Sequence, residues 1–514
     1  MKKNIPFFYD VTLRDGNQAL KKPWNLKEKE IIFNKLIELG IQGIEAGFSG
    51  ASDMDFEACK HLAQIASPNV VVSGLARAME YDIKKVYESV KFAAKPRIHT
   101  FIAFSPFNMK YVIQKEPKEV RKIAVEAVRY GKSLFGDKGE IQFSAEHFGD
   151  CAENLDFVIE SFLEIIEAGA SIINLPNTVE RVRPFVFLNM VKKVVESLPD
   201  SVTVAVHCHN DLGMATATTV ESFFSRACQL ECSLNGLGER AGNTNLYEVA
   251  VALLNSGVEV PINFSKIYET AILISEMADV KIHDKMPLIG DDALAHRSGI
   301  HQDGSAKTKN MKKGAYRPIQ PELIGREGEF IGFTSQSGKT AIYEIINALG
   351  YPITMEEAFY LQPMMKQKAE KVGELSKDDM VKIYFEEIIN VSGPYQLVKF
   401  EEIEFNEDFG KYNISIDFNG KKIEGLSEGK GPIEAIISLL NKSGIEIKLI
   451  HYKQTAIDED KGSQAKAMTE IQLFEPKSDL KIVCRAIHDD TRKANRKAIF
   501  NGLNLLEKIK KDKQ

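Results

Sequence analysis

Thr203-Val204-Ala205-Val206-His207-Cys208-His209-Asn210-Asp211 joins a β-branched run to a cluster of ionisable side chains. Residues i and i+2 of an extended chain project to the same side, so His207 and His209 can present two imidazoles to one point. Two histidines with a carboxylate and open positions suit a divalent cation acting as a Lewis acid. Taken alone, such a pair is more simply two hydrogen-bonded histidines under a loop. Its place in the chain is informative for the fold, because the reactive groups sit at a strand's end.

Outward from this strand the same layout recurs. Short apolar runs at Phe8–Leu13, Gly43–Ala46, Val70–Leu75, Arg97–Phe104, Glu140–Ala145, Ser171–Leu175 and Glu231–Leu234 read as strands, making eight with Thr203–His207. Between them Leu26–Glu38, Glu119–Ser133 and Asn154–Ile166 place apolar residues at i, i+3, i+4 and i+7, the mark of helices packing one face on a sheet. Eight such units predict a (β/α)8 TIM barrel over residues 1–285. A doubly wound sheet is the competing topology. Reactive residues at the ends of several different strands suit a barrel mouth better than a single switch point.

Past residue 285 the rhythm stops. A Gly-, His- and Lys-rich stretch from His283 through Gly314 and an apolar-periodic helical stretch over Thr340–Val372 predict α-helical linker subdomains over 286–385. Residues 386–514 then read as strands Leu397–Phe405, Tyr412–Phe418 and Lys421–Leu426 with a helix Ile433–Asn441. Strands Ile445–Ala456, Ala465–Phe474 and Leu480–Ala486 with a helix Asp490–Lys508 repeat the order. Two copies of βββα predict a C-terminal α+β domain of regulatory type.

The 514 residues are 44% hydrophobic and 27% charged, which excludes disorder and small disulfide scaffolds. A net charge of -6 asks for neither nucleic acid nor an anionic membrane surface. No window approaches the ~18 apolar residues of a membrane span. Six cysteines without C-x-x-C spacing read as reduced thiols, and a cytoplasmic location is expected.

Three further stretches carry candidate chemistry. Leu13-Arg14-Asp15-Gly16-Asn17-Gln18 closes the first strand; an Arg beside an Asp is usually a solvated pair, but at a barrel mouth Asp15 is a candidate ligand and Arg14 can meet an oxyanion. Gly238-Glu239-Arg240-Ala241-Gly242-Asn243-Thr244-Asn245 follows the last strand as a tight turn. Ala295-His296-Arg297-Ser298-Gly299-Ile300-His301-Gln302-Asp303-Gly304 lies outside the barrel, its histidines in a Gly-flanked loop.

Together these stretches resemble the α-isopropylmalate synthase / homocitrate synthase family of acyl-CoA-dependent, metal-binding β/α barrels. The L-R-[DE]-G-x-Q signature with its later Lys is met from Leu13 through Gln18 to Lys29, and the H-x-H-[DN]-D-x-G signature ends at Gly213. The resemblance extends over essentially the whole chain.

The resemblance implies a divalent ion (Zn, Mn or Mg) held by Asp15, His207 and His209, with Asn243 as a further ligand. It implies a Claisen-type condensation of acetyl-CoA with 2-oxoisovalerate and hydrolysis of the thioester to 2-isopropylmalate and CoA. Arg14 would stabilise the alkoxide, and Thr178, Ser144 and His99 would contact the 2-oxo acid, with Leu75 as an apolar wall. Glu146 and His301 resemble the family's catalytic dyad, with Tyr316 as a nearby proton donor. The family further implies a homodimer in which the linker segment completes the neighbouring active site. Pyruvate as acceptor, giving citramalate, is the alternative, and a catalytically silent effector sensor is a third reading.

The chain departs from the family in two places. Leu175-Pro176-Asn177-Thr178-Val179-Glu180 stands where many members read L-P-D-T-V-G. The C-terminal pair resembles a leucine-binding domain, yet the second repeat reads Cys484-Arg485-Ala486-Ile487-His488-Asp489-Asp490 in place of a Gly-rich turn. A charged helix start is a poor wall for an apolar side chain, so weak or absent leucine feedback is expected.

Overall fold

The computed structural model describes residues 5–311, 313–327, 332–406, 409–457 and 465–512. The chain divides into two compact units, Met1–Leu294 with Pro318–Glu329, and Ala295–Arg317 with Phe330–Gln514.

The first unit is a closed barrel of eight parallel strands. They are β1 (Phe7–Asp10), β2 (Gly43–Glu45), β3 (Val71–Arg77), β4 (Lys95–Ala103), β5 (Glu140–Glu146), β6 (Ile172–Asn177), β7 (Thr203–Cys208) and β8 (Gln229–Cys232). The barrel closes where β1 pairs with β8, Tyr9 opposite Glu231. One parity of each strand, including Ile98, Ile141, Phe143, Ile173, Val206 and Leu230, joins the apolar core shared with the surrounding helices. The helix Leu26–Leu39 shows how its partners form: Asn25 and Glu28 make a capping box, Gly40 ends it at φ 88°, and Ile32, Phe33, Leu36 and Leu39 are buried. The other parity carries Arg97, His99, Gln142, Ser144, Asn174, His207, Gln229 and Glu231, all buried. The barrel's inside is therefore polar, where such barrels ordinarily stack Val, Ile and Leu.

Several strand ends fall one to three residues from the sequence reading, and two of these differences have a side-chain cause. The first strand stops at Asp10, because the Asp10 carboxylate accepts hydrogen bonds from the Thr12 N–H (2.8 Å) and hydroxyl (2.9 Å) and pulls the chain out of the ladder. Residues Thr12–Gly16 form a wide helical turn instead. The last strand starts two residues early, at Gln229, whose polar side chain hides it from an apolar pattern.

In the second unit the segment read as a Gly-flanked loop contains a helix, Gly299–Lys307. It lacks an apolar stripe and is anchored by Gln302, whose amide donates to the carbonyls of His296 (2.9 Å) and Gly332 (2.8 Å). The stretch Thr340–Val372 is two helices, Lys339–Ala348 and Met355–Val372; the Thr354–Glu357 capping box starts the second. The helix Lys377–Tyr384 follows. Antiparallel strands β9 (Tyr395–Phe405), β10 (Gly410–Phe418) and β11 (Lys421–Gly429) precede the helix Pro432–Lys442. Strands β12 (Lys448–Ala456), β13 (Ala467–Glu475) and β14 (Leu480–His488) precede the helix Thr491–Asp512. Ile414, Ile416, Ile436, Leu440, Ile471 and Leu503 lie in one core common to both repeats.

The charged position noted in the second repeat has a structural use. Arg485 is 3% exposed, donates to both carboxylate oxygens of Glu357 and reaches Glu470 at 2.6 Å. Arg485→Ala strands Glu357 without its cation, so a loss of about 3–5 kcal/mol is expected. Urea titration of the two proteins reads the difference.

Among the described residues no helix is long and apolar enough to cross a membrane, and the six cysteines are free.

Candidate active site

The ends of β1 and β7 and the turn after β8 bring their polar groups to one cavity. The His207 and His209 Nε2 atoms face each other at 3.2 Å, and Asp15 Oδ2 lies 3.9 Å from each. Among the described residues this is the one buried His/Asp trio whose ligand atoms all fall within 4.8 Å of one another. A cation about 2.0–2.2 Å from each atom requires separations of roughly 3.0–3.6 Å, so the trio fits a divalent ion with little adjustment. The donor chemistry agrees. Glu231 Oε2 takes the His207 Nδ1 side at 3.1 Å, directing Nε2 inward. Asn243 donates its amide to the Leu237 carbonyl (3.1 Å), which leaves its buried Oδ1 with no partner. A β-bridge ties Asn243 to His209. Gly238 makes room for it, since a Cβ there would stand 2.3 Å from the Asn243 amide nitrogen.

Electrostatics hold the trio ready for a cation. Burial works to raise the Asp15 carboxyl, but Arg14 and the two imidazoles outweigh it and keep the group well below the usual range. Burial, with His207 alongside, pushes His209 down to about 3, so its imidazole is neutral at pH 7.

Arg14 is clamped between two carboxylates, at 2.6 Å from Asp15 and 2.5 Å from Glu45. Glu45 is fully buried and also holds His99 Nδ1 at 2.5 Å. Burial opposes its charge, yet Arg14 and His99 hold its carboxyl at about 2. The chain continues from His99 Nε2 to the Ser144 hydroxyl (2.6 Å), which accepts from the Asn174 amide (2.8 Å). One polar belt thus runs from the turn after β1 through β2, β4, β5 and β6.

The cavity has a volume of about 290 Å³. Its lining combines the polar Arg14, Asp15, His99, Ser144, His207 and His209 with the apolar Phe48, Leu75, Phe101 and Pro176. Glu146 and Thr178 also line it, Thr178 accepting the His147 N–H at 2.9 Å. Burial raises the Glu146 carboxyl above its ordinary value, against His147 and Arg14. His301 and Tyr316 belong to the second unit, where their exposed rings stack 4.2 Å apart at 18°. At the divergent Pro176–Glu180 stretch, Glu180 is buried and accepts the Leu212 N–H at 2.6 Å, fastening the turn that follows His209.

Glu45, Glu231 and Asn174 escaped the sequence reading. The signal was a carboxylate between buried apolar neighbours, Ile44 and Ala46 around Glu45, Leu230 and Cys232 around Glu231. Such a charge inside a strand has to face a partner.

The HMGL-like family profile matches residues 6–274 of this chain. Residues 291–347 match the alpha-isopropylmalate synthase post-catalytic domain-like profile and residues 374–507 the LeuA allosteric (dimerisation) domain. The 2-isopropylmalate synthase of Campylobacter hominis is 34% identical over 98% of this chain and 99% of its own length. The chain belongs to the 2-isopropylmalate synthase family. Another family member, 2-isopropylmalate synthase 2 of Leptospira interrogans, is 56% identical over 72% of this chain and 87% of its own length. The 2-isopropylmalate synthase of Clostridium kluyveri is 34% identical over 100% of this chain and 99% of its own length. Within this family the (β/α)8 barrel and the C-terminal α+β domain are the expected architecture, and both are present.

Proposed function

We propose that the chain is a cytoplasmic, homodimeric 2-isopropylmalate synthase that condenses acetyl-CoA with 2-oxoisovalerate and hydrolyses the thioester to 2-isopropylmalate and CoA. The observation that carries the reading is the Asp15–His207–His209 trio lining one cavity together with Arg14, Leu75 and Phe48. Asp15, His207 and His209, with Asn243, would hold the divalent ion. When bound, that ion supplies a Lewis acid for the acceptor's keto group.

The remaining work falls to this chain's side chains. Arg14, aimed by Glu45, donates to the oxygen that gains charge as the new C–C bond forms. Glu146 removes a proton from the acetyl methyl group; a thioester α-carbon is a weak acid, and a carboxyl raised by burial is the better base for it. His99, Ser144 and Thr178 orient the 2-oxo acid, and Leu75 meets its isopropyl group. His301 pairs with Glu146 and Tyr316 supplies a proton, both from the partner subunit, which the match to a dimerisation domain supports. Release of CoA from acetyl-CoA and 2-oxoisovalerate, followed with a thiol reagent, tests the reading; it should stop after chelation and return when divalent ion is restored.

Leucine is expected to inhibit weakly or not at all, because the second repeat carries the buried Arg485 on β14, ion-paired to Glu470 of β13 and to Glu357 of the helix Met355–Val372, where an apolar side chain would need an apolar wall. Half-inhibition of CoA release at micromolar leucine would contradict this.

A further inference from the structure

We propose that Arg97, on the barrel floor, sets the proton position and aim of the metal-ligating His207 by way of Gln142, Gln229 and Glu231. The proposal rests on the divalent-ion reading of the Asp15–His207–His209 trio. All four relay residues are buried, between 0% and 3% exposed, so protein groups alone satisfy them.

The direction of each hydrogen bond follows from Arg97, which can only donate. Its guanidinium reaches the side-chain oxygens of Gln142 at 3.0 Å and Gln229 at 2.8 Å, and its other N–H groups go to Glu140. With their oxygens committed to Arg97, both amides must turn their NH2 groups onward. Gln142 donates to Glu231 Oε1 at 2.7 Å and Gln229 donates to the same oxygen at 3.2 Å. Gln229 also donates to Gln142 Oε1 at 3.0 Å, tying the two amides together. Glu231 therefore receives at every turn, which makes it an acceptor for His207 Nδ1 at 3.1 Å. A histidine that gives its Nδ1 proton to a carboxylate keeps a bare lone pair on Nε2, and that atom faces His209 and Asp15. Reversal of either amide would set its NH2 group against the guanidinium, so the order cannot run backwards while Arg97 is present. Glu231 and Arg97 are positioning residues; neither lies among the trio.

The test is Mn2+ binding to the full-length, chelator-stripped protein by calorimetry, with Mn2+ alone as probe. Glu231→Gln keeps the shape of the side chain but can donate to His207, moving the proton to Nε2. It is expected to weaken Mn2+ binding about 10–100-fold. Arg97→Gln, which frees both amides to turn, is expected to weaken it about tenfold, and Arg97→Lys, still a pure donor, to stay within about threefold of wild type. The d–d absorption of the Co2+ form should shift in Glu231→Gln and not in Arg97→Lys. Gln142→Leu, expected to weaken Mn2+ binding severalfold, serves as the second variant, and apo melting curves establish that each protein is folded. Folded Glu231→Gln binding Mn2+ within twofold of wild type overturns the proposal, as does equal weakening by Arg97→Gln and Arg97→Lys. Wild type that binds no Mn2+ overturns the metal reading itself, which separates the two failures.

Discussion

Alanine in place of His209 is expected to abolish stoichiometric binding of divalent ion and to cut turnover at least about a thousandfold, some 4 kcal/mol of transition-state stabilisation. His209 supplies a buried Nε2 that faces the His207 Nε2 and Asp15, and an alanine there removes one of the three ligand atoms of the trio. Asp15→Asn should behave alike for a different reason. The asparagine oxygen can still accept the Glu239 N–H that Asp15 Oδ1 takes at 3.0 Å, so the turn survives. The negative charge is gone, however, and Arg14 is left with Glu45 as its single carboxylate partner. Metal content by atomic absorption and CoA release on the same samples measure both effects. Full activity in metal-free His209→Ala would remove the Lewis acid from the mechanism.

Glu146→Gln is expected to lower kcat by about 10²–10⁴ with a small change in KM for the 2-oxo acid, the pattern of a lost general base. The pH dependence gives a second reading. A base works only when ionised, and burial raises the Glu146 carboxyl above the free-glutamate value of about 4.3. Activity should therefore climb with pH through a value higher than an exposed carboxylate would give, and this limb should be missing from the residual rate of Glu146→Gln. His301→Ala should be comparably slow. If His301 acts across the dimer, mixing the two inactive proteins under subunit exchange restores one intact site per mixed dimer, about a quarter of wild-type activity. No recovery would place both residues on one subunit's site.

The parts of this molecule that were legible in its sequence are those where one physical requirement dominates. Strands buried against helices must be apolar on one side, so runs such as Ser171–Leu175 reveal β6, observed at Ile172–Asn177. Metal-type side chains gather at strand ends, so Asp15, His207 and His209 stand out before any geometry is known. Legibility fails where two requirements compete. The polar lumen gives β8 a Gln and a Glu in four residues, weakening its apolar run and displacing its reading by two positions. Asp10 ends β1 early through side-chain bonds to Thr12 that no periodicity encodes. Glu45 and Glu231 face the lumen from strands of three and four residues, too short for alternation to assign a side. The helix Gly299–Lys307 is held through Gln302 by the carbonyls of His296 and the distant Gly332, contacts that no apolar periodicity encodes.

This cavity is expected to take a branched 2-oxo acid. The ratio of kcat/KM for 2-oxoisovalerate to that for pyruvate, measured by CoA release at saturating acetyl-CoA, tests it most directly. The isopropyl group adds two carbons over methyl for contact with Leu75 and the other apolar lining residues of the cavity. At about 1–3 kcal/mol per carbon, a preference of at least about thirtyfold for 2-oxoisovalerate is expected. A ratio below one would make pyruvate the acceptor and rule out 2-oxoisovalerate.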